Sequence, residues 1–262
     1  MTGKSPSEVV SWLSQSIRRP KTNSHQLSTV AKAVAPEEDT QFVADPAIFD
    51  HFASLCPSAE LGQQYLLNRG LSERTQKSFR IGFIGNSNDV LKRLLSKYGT
   101  AALSNCGLIF PDKAPELVFP SGSLLVPFVI GGQIMYLQSR SISNSARRWM
   151  GLNGVRKPIF NQDAVPQAKD IYICEGVTDT LSAFEMGLTA IGLTGANTPF
   201  STDLLRSMRS KTAYIIPDND AAGKSMEARL TALFRRAGIQ FVVQRIPHGK
   251  DLNDYLVWRK QK

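Results

Sequence analysis

The sequence predicts an α/β protein in two parts: a mixed α+β N-terminal subdomain, then a Rossmann-like subdomain on a mainly parallel sheet. Three observations carry this. After Pro166, short apolar runs alternate with amphipathic stretches of helical length, the pattern of a sheet with helices on both faces. Before it, "SLLVPFVIGGQIMYLQSR" reads as two apolar strands around a Gly-Gly turn, a hairpin signal. Further upstream, "AELGQQYLLNRGLSERTQKSFRIGFIG" reads as helix, glycine stop, second helix and short strand.

Taken in order, residues 1–50 form an N-terminal helix and linker. "SPSEVVSWLSQSI" is amphipathic, with Val9, Val10, Leu13 and Ile17 on one face, and "RRPKTNSHQLSTVAKAVAPEEDT" has linker composition. The pattern tightens from Phe49, and residues 51–165 form the predicted N-terminal basic subdomain. Here Ser72 caps the second helix, "DVLKRLLSKYG" is an amphipathic helix closed by Gly99, and the hairpin runs into the polar, basic "RSISNSARRWMGLNGVRKPIFNQ". Residues 166–262 are the second subdomain. Its strands are "DIYICEG", "LTAIGLTG", "KTAYIIPD" and "IQFVVQRI". Its helices are "VTDTLSAFEMG", "STDLLRSMRS" with Ser201 as N-cap, "AAGKSMEARLTALFRRAG" and "DLNDYLVWRKQ".

A formal net charge of +9 on 262 residues points to an anionic partner, nucleic acid being the commonest. Cys56, Cys106 and Cys174 lie far apart, as do His25, His51 and His248, so no zinc-ligand spacing exists and reduced, buried thiols are expected. No apolar run approaches the length of a membrane span and the opening lacks a signal peptide's apolar core. A cytoplasmic protein is expected.

Ligands of such sheets bind beyond the carboxyl ends of the strands. "YICEG" puts Glu175 at one such end, and "YIIPDND" puts Asp218 and Asp220 at another. Asp179 falls on the first turn of the helix after Glu175, and "GKDLND" brings Asp251 and Asp254 to the loop after the last strand. Acids from separate loops thus meet at one edge. Clustered carboxylates raise one another's pKa unless a cation neutralises them, and hard oxygen donors suit Mg²⁺ or Mn²⁺. Any one Asp here also suits a helix N-cap, Asp179 and Asp251 best of all. The "GKS" after Asp220 is no P-loop, because Asp218 stands where that loop needs its first glycine. Nor is "DND" a calcium loop, because Arg229 holds the place of the closing glutamate.

"EGVTD" followed by "DNDAAGKS" resembles the two signatures of the Toprim domain, E-G-x-x-D and D-x-D-x-A-G, shared by DnaG-type primases, topoisomerases, and some nucleases and recombination proteins. The upstream half narrows this. "YLLNRGLSERTQKSFRIGFIG" resembles the Y-L-x-x-R-G-L…F-x-I-G segment of bacterial primases, and the hairpin ending at Arg140 resembles their strand pair closing with G-R. "RRWMGLNGVRKPIFN" resembles their K-Y-L-N…P-x-F-x-K segment, with Arg148 for the first lysine and Gln162 in place of the second. The arginine usual before the F-P-I strand is missing, with Ser123 near that place, and Asn253 stands where a second late acid is common. The resemblance covers roughly residues 60 to 257 and is closer to phage or plasmid primases than to chromosomal ones.

The resemblance implies a primase catalytic core, a DNA-directed RNA polymerase of the nucleotidyltransferase class. It would make short RNA primers on single-stranded DNA from ribonucleoside triphosphates with Mg²⁺ or Mn²⁺. It implies Asp218, Asp220 and Asp251 as metal ligands, and Glu175 as metal ligand or general base. Five basic residues and no acid lie between Arg140 and Gln162 (Arg140, Arg147, Arg148, Arg156, Lys157), with Trp149 among them. Arg140, Arg147, Arg148 and Lys157, with Arg69 of "YLLNRGL", are the expected nucleic-acid or nucleotide contacts. Two other classes stay open: a Toprim nuclease or topoisomerase-like enzyme using the same acids for cleavage, and a non-catalytic nucleic-acid-binding module of a replication complex. "SEVVSWL" resembles the last helix of the family's zinc module. Start-site choice and coupling to a replicative helicase are accordingly expected from that module or from a partner.

Overall fold

The computed structural model describes residues 43–143, 148–195 and 198–262. The expected N-terminal helix, most of the linker, and Arg147 lie outside the described residues. The chain divides at Pro158/Ile159 into two compact units, each built around its own four-stranded sheet.

The first unit opens with helix α1 (Pro46–Leu55), which begins inside the stretch read as linker. Asp45 makes it start there. Its carboxylate accepts the N–H groups of Ala47 and Ile48, and Pro46 supplies a preset first turn. Helices α2 (Glu60–Asn68) and α3 (Glu73–Ser78) follow as expected, separated by Gly70 at φ +75° and with Ser72 capping α3. Helix α4 (Ser87–Asn105) departs from expectation. Gly99, at φ +76°, does interrupt it, but the chain resumes a helical path at once and runs on to Asn105.

Strands β1 (Gly82–Ile84), β2 (Ser123–Ile130), β3 (Gln133–Ser141) and β4 (Trp149–Gly151) form one antiparallel sheet in that order. Gly131 and Gly132 both take positive φ, as a two-residue hairpin turn requires. Strand β4 is an addition to the expected elements: it lies in the stretch read as polar and basic. It pairs Trp149 with Arg140 and Gly151 with Gln138, covering the otherwise open edge of β3. Phe49, Phe52, Leu94, Phe119, Leu125 and Leu137 form the core beneath this sheet, each fully buried.

The second unit is the predicted parallel sheet. Strands β5 (Asp170–Cys174), β6 (Ala190–Gly192), β7 (Thr212–Ile215) and β8 (Gln240–Val243) lie in the order β6-β5-β7-β8, every pair parallel. Between and after them run α5 (Val177–Glu185), α6 (Thr202–Met208), α7 (Ala221–Ala237) and α8 (Leu252–Gln261). The strand period of two sorts the core. Ile171, Ile173, Ala213 and Ile215 pack with Leu205 and Met208 of α6 and Leu230 and Phe234 of α7. The alternate residues Tyr172 and Cys174 pack with Ala183 of α5 and Leu252 and Tyr255 of α8. Two helices therefore cover each face.

All three cysteines are free and buried, as expected. Burial pushes the Cys56 thiol up to about 12 and the Cys106 thiol up to about 11, which leaves them unreactive at neutral pH. Among the described residues no helix is long and apolar enough to cross a membrane.

Candidate active site

The acids gather at the carboxyl edge of the parallel sheet because β5 and β7 both end there. Glu175 follows the last residue of β5, and Asp218 lies three residues beyond Ile215 of β7. One hydrogen bond ties the two strand ends: the Asp218 N–H donates to Glu175 Oε1 at 3.1 Å. Gly223 lets the loop fold back on itself. A Cβ there would lie 2.1 Å from the Asp218 carbonyl oxygen, so no larger residue fits this first turn of α7.

Each carboxylate has a different environment. Asp220 is the N-cap of α7, accepting the Gly223 N–H at 3.0 Å, and its Oδ2 faces Lys250 Nζ at 3.3 Å. The Gly223 N–H and Lys250 hold its pKa below the ordinary value. Asp251 caps α8 by accepting the Asp254 N–H at 2.8 Å. Asp254 in turn accepts the Lys250 N–H at 3.0 Å, closing the loop. Asp179 does not cap, although it suited that role in the sequence. Gly176 is the N-cap of α5, and Asp179, only 8% exposed, accepts the Asn253 N–H at 3.3 Å.

Burial and mutual repulsion set the titration. Burial, then Asp179, Glu175, Asp251 and Asp220, push the Asp218 carboxyl up to about 8. Burial and then Asp251 push Asp179 up to about 7, against the opposing Asn253 N–H. Glu175 is raised as well, chiefly by burial, with the Asp218 N–H working against it. Asp218 and Asp179 therefore hold protons near neutrality unless a cation takes the protons' place. Among the described residues no three of them close into a ready metal cage. The donor set nevertheless fits an ion of the Mg²⁺ type, which takes one or two carboxylates and fills its other positions with water and phosphate oxygens.

Two residues of the site, Asn219 and Lys250, escape a sequence reading of its chemistry, and a third, Asn253, is legible there only as a missing acid. Asn219, between the two aspartates, donates through Nδ2 to the Gly249 carbonyl at 2.8 Å and through its N–H to the Lys250 carbonyl at 2.8 Å. It fastens the two acidic loops together. Lys250 is the cation beside Asp220, and its place directly before Asp251 is the available signal. Asn253 is buried, and its Nδ2 donates to Ser182 Oγ at 2.9 Å. It joins α8 to α5 instead of offering a further acid. Asn253→Asp is therefore expected to lower the thermal midpoint, by about 1–3 kcal/mol of stability. The loss should be greater at pH 8 than at pH 5, because a second carboxyl beside Asp179 must stay protonated or repel it. Thermal denaturation at the two pH values checks this.

The basic candidates belong to the first unit. Arg140 on β3 is buried against Tyr65 of α2 and Trp149 of β4. Arg69, at the end of α2, also lies against Tyr65, 5.7 Å from its ring centroid. Arg148 is exposed just before β4, its carbonyl accepting the Ser141 N–H. Lys157 is half-buried, and that burial lowers its ammonium pKa. Ser123, near the place of the family's missing arginine, is fully buried at the start of β2.

Comparison with known proteins agrees with this geometry. The sequence model of the Toprim-like family matches residues 172–256. The DNA primase of Halalkalibacterium halodurans is 25% identical over 226 residues, covering 79% of this chain and 37% of that protein. The DNA primase of Listeria innocua is 28% identical over 210 residues, covering 73% and 33%. The chain thus spans little more than a third of the curated relatives it matches. Among solved structures, the DnaG catalytic core superposes with a TM-score of 0.67 at 20% identity, over 82% of this chain and 75% of that one. A DnaG primase catalytic domain bound to single-stranded DNA gives 0.66 at 20% identity, over 79% and 72%. The Aquifex aeolicus primase, with zinc-binding and RNA polymerase domains, gives 0.67 at 18% identity, over 80% and 57%. With acids at the carboxyl edge of the matched sheet, residues 172–256 match the Toprim-like family, and the chain has the fold seen in the DnaG catalytic core.

Proposed function

We propose that this chain is the catalytic core of a DNA primase, joining ribonucleotides on a single-stranded DNA template. One observation carries the reading: Glu175, Asp218, Asp220 and Asp251 crowd one edge of a Toprim-like sheet, in a chain similar to bacterial DNA primases over most of its length. In each cycle the primer 3′-oxygen attacks the α-phosphorus of a ribonucleoside triphosphate, and pyrophosphate leaves. Divalent ions, when bound, supply the positive charge that such an in-line displacement needs at the attacking and leaving oxygens. Asp218, Asp220 and Asp251 are the residues that would hold them. Glu175, which accepts the Asp218 N–H, orients that loop and would accept a proton. Asn219 keeps the two acidic loops in register. Arg140, Arg148, Lys157 and Arg69, with Arg147, are proposed to hold template or triphosphate. A zinc-binding module and a replicative helicase are the proposed partners of the complete system.

The test is incubation with a single-stranded DNA template, ribonucleoside triphosphates and either Mg²⁺ or Mn²⁺. Short RNA products are expected. Cutting of the template would favour a nuclease, and binding without products a non-catalytic module.

Arg148 offers a separate check. Being exposed, it is expected to contact phosphate without supporting the fold. Arg148→Ala should weaken binding to single-stranded DNA and reduce the slope of log affinity against log salt by about 1. An unchanged slope returns Arg148 to ordinary solvated surface.

A further inference from the structure

We infer that Tyr65 is a positioning residue: its hydroxyl and ring aim the Arg140 guanidinium at a phosphate group. This rests on the reading of the Arg140 face as a nucleic-acid or nucleotide contact. Arg140 is only 9% exposed, yet it forms no ion pair with any carboxylate among the described residues. A buried cation without a counter-charge is costly and persists only with other compensation. Here the compensation is neutral. The Arg140 Nε–H donates to the Tyr65 hydroxyl at 2.7 Å. The guanidinium carbon lies 5.0 Å from the Trp149 ring centroid and 5.8 Å from that of Tyr65, both within cation–π range.

The arrangement fixes the group without discharging it. One hydrogen bond on Nε and two aromatic rings set the guanidinium plane, and the terminal nitrogens Nη1 and Nη2 are not buried orphans. That leaves the planar fork open to a bidentate phosphate contact. A carboxylate in place of the phenol would orient the arginine equally well but would also neutralise it and compete with the ligand. Lysine in place of Arg140 could not take both partners, having no Nε–H beside a second donor pair. The ligand chemistry is a phosphate oxygen pair, from a template phosphodiester or from a triphosphate.

The experiment measures affinity of the full chain for a labelled oligo-dT and, separately, for ATP, in wild type, Tyr65→Phe, Arg140→Lys and the double variant. Tyr65→Phe keeps the ring and removes only the hydroxyl. It is expected to weaken one or both ligands about 3- to 10-fold, the worth of one hydrogen bond, and to lower the thermal midpoint by a few degrees at most, because the Arg140 Nε–H loses its partner. The double variant should bind no more weakly than Arg140→Lys alone, because the hydroxyl acts only through the arginine. A loss confined to oligo-dT assigns the template, and one confined to ATP assigns the triphosphate. Independent, additive losses would overturn the positioning role, as would wild-type binding by Tyr65→Phe beside a weakened Arg140→Lys. Wild-type binding of both ligands by Arg140→Lys would overturn the underlying phosphate reading of this face, and the inference with it.

Discussion

Asp218→Asn is expected to abolish primer synthesis while making the protein more stable. The carboxylate that would hold a divalent ion is lost, and several kcal/mol of charge stabilisation go with it, so the rate should fall by about 10³-fold or more. Stability moves the other way. In the folded chain the Asp218 carboxyl is raised to about 8 by burial and by Asp179, Glu175, Asp251 and Asp220. In the unfolded chain it titrates at about 3.9. A raised acid pKa favours folding at low pH, and that contribution is lost as pH climbs from about 4 through about 8, because only the folded chain keeps the proton. The amide removes this penalty. The thermal midpoint should therefore rise by about 2–5 °C at pH 7–8, and the gain should vanish near pH 4. Added Mg²⁺ should raise the midpoint of the wild type and leave that of the variant nearly unmoved. Primer synthesis at the normal rate by Asp218→Asn would sink the assignment of the site.

The second large effect comes from a residue with no side chain. Gly223→Ala is expected to damage fold and activity together. Its Cβ would stand 2.1 Å from the carbonyl oxygen of Asp218 and 2.7 Å from its nitrogen, both backbone atoms. No rotamer change relieves such a contact, so the loop from Asp218 to Asp220 must shift. Forced overpacking of this kind costs about 1–3 kcal/mol, a fall of about 2–10 °C in the thermal midpoint. The Glu175–Asp218 hydrogen bond and the Asp220 cap both lie on the loop that moves. A displacement of about 1 Å at reacting groups is worth about 10²-fold in rate. The contrasting variant is Lys224→Ala, one position on and exposed to solvent. It should keep the wild-type midpoint. An unaltered midpoint in Gly223→Ala would show that the loop yields more easily than its geometry suggests.

Much of this protein is legible before folding. The alternation after Pro166 gives strands and helices in the observed order, because each strand is short and apolar and the helices carry local start signals. Ser72 and Ser201 are caps in the structure as in the sequence, each accepting a backbone N–H three residues on. The same local logic puts Glu175, Asp218 and Asp220 at the sheet edge. What the pattern misses is cooperative between distant segments. Strand β4 has three residues and little strand character of its own, and it exists because β3 offers an unpaired edge. Helix α1 lies partly in polar sequence, and its cap at Asp45 together with buried Ile48, Phe49 and Phe52 makes it a helix.

By itself, then, the sequence determined the layered α/β class, the order of its elements and which loops carry acid, since these depend on periodicity and capping within a few residues. The tertiary structure alone decided how those acids differ. Asp179, which suits a cap in the sequence as well as Asp251 does, is instead buried beneath Asn253, 74 residues away, and Asp218 is left with a proton affinity raised well above that of an ordinary carboxylate. It also decided that Tyr65 meets Arg140 across 75 residues. Burial and Coulomb repulsion act through space, so no spacing along the chain encodes them.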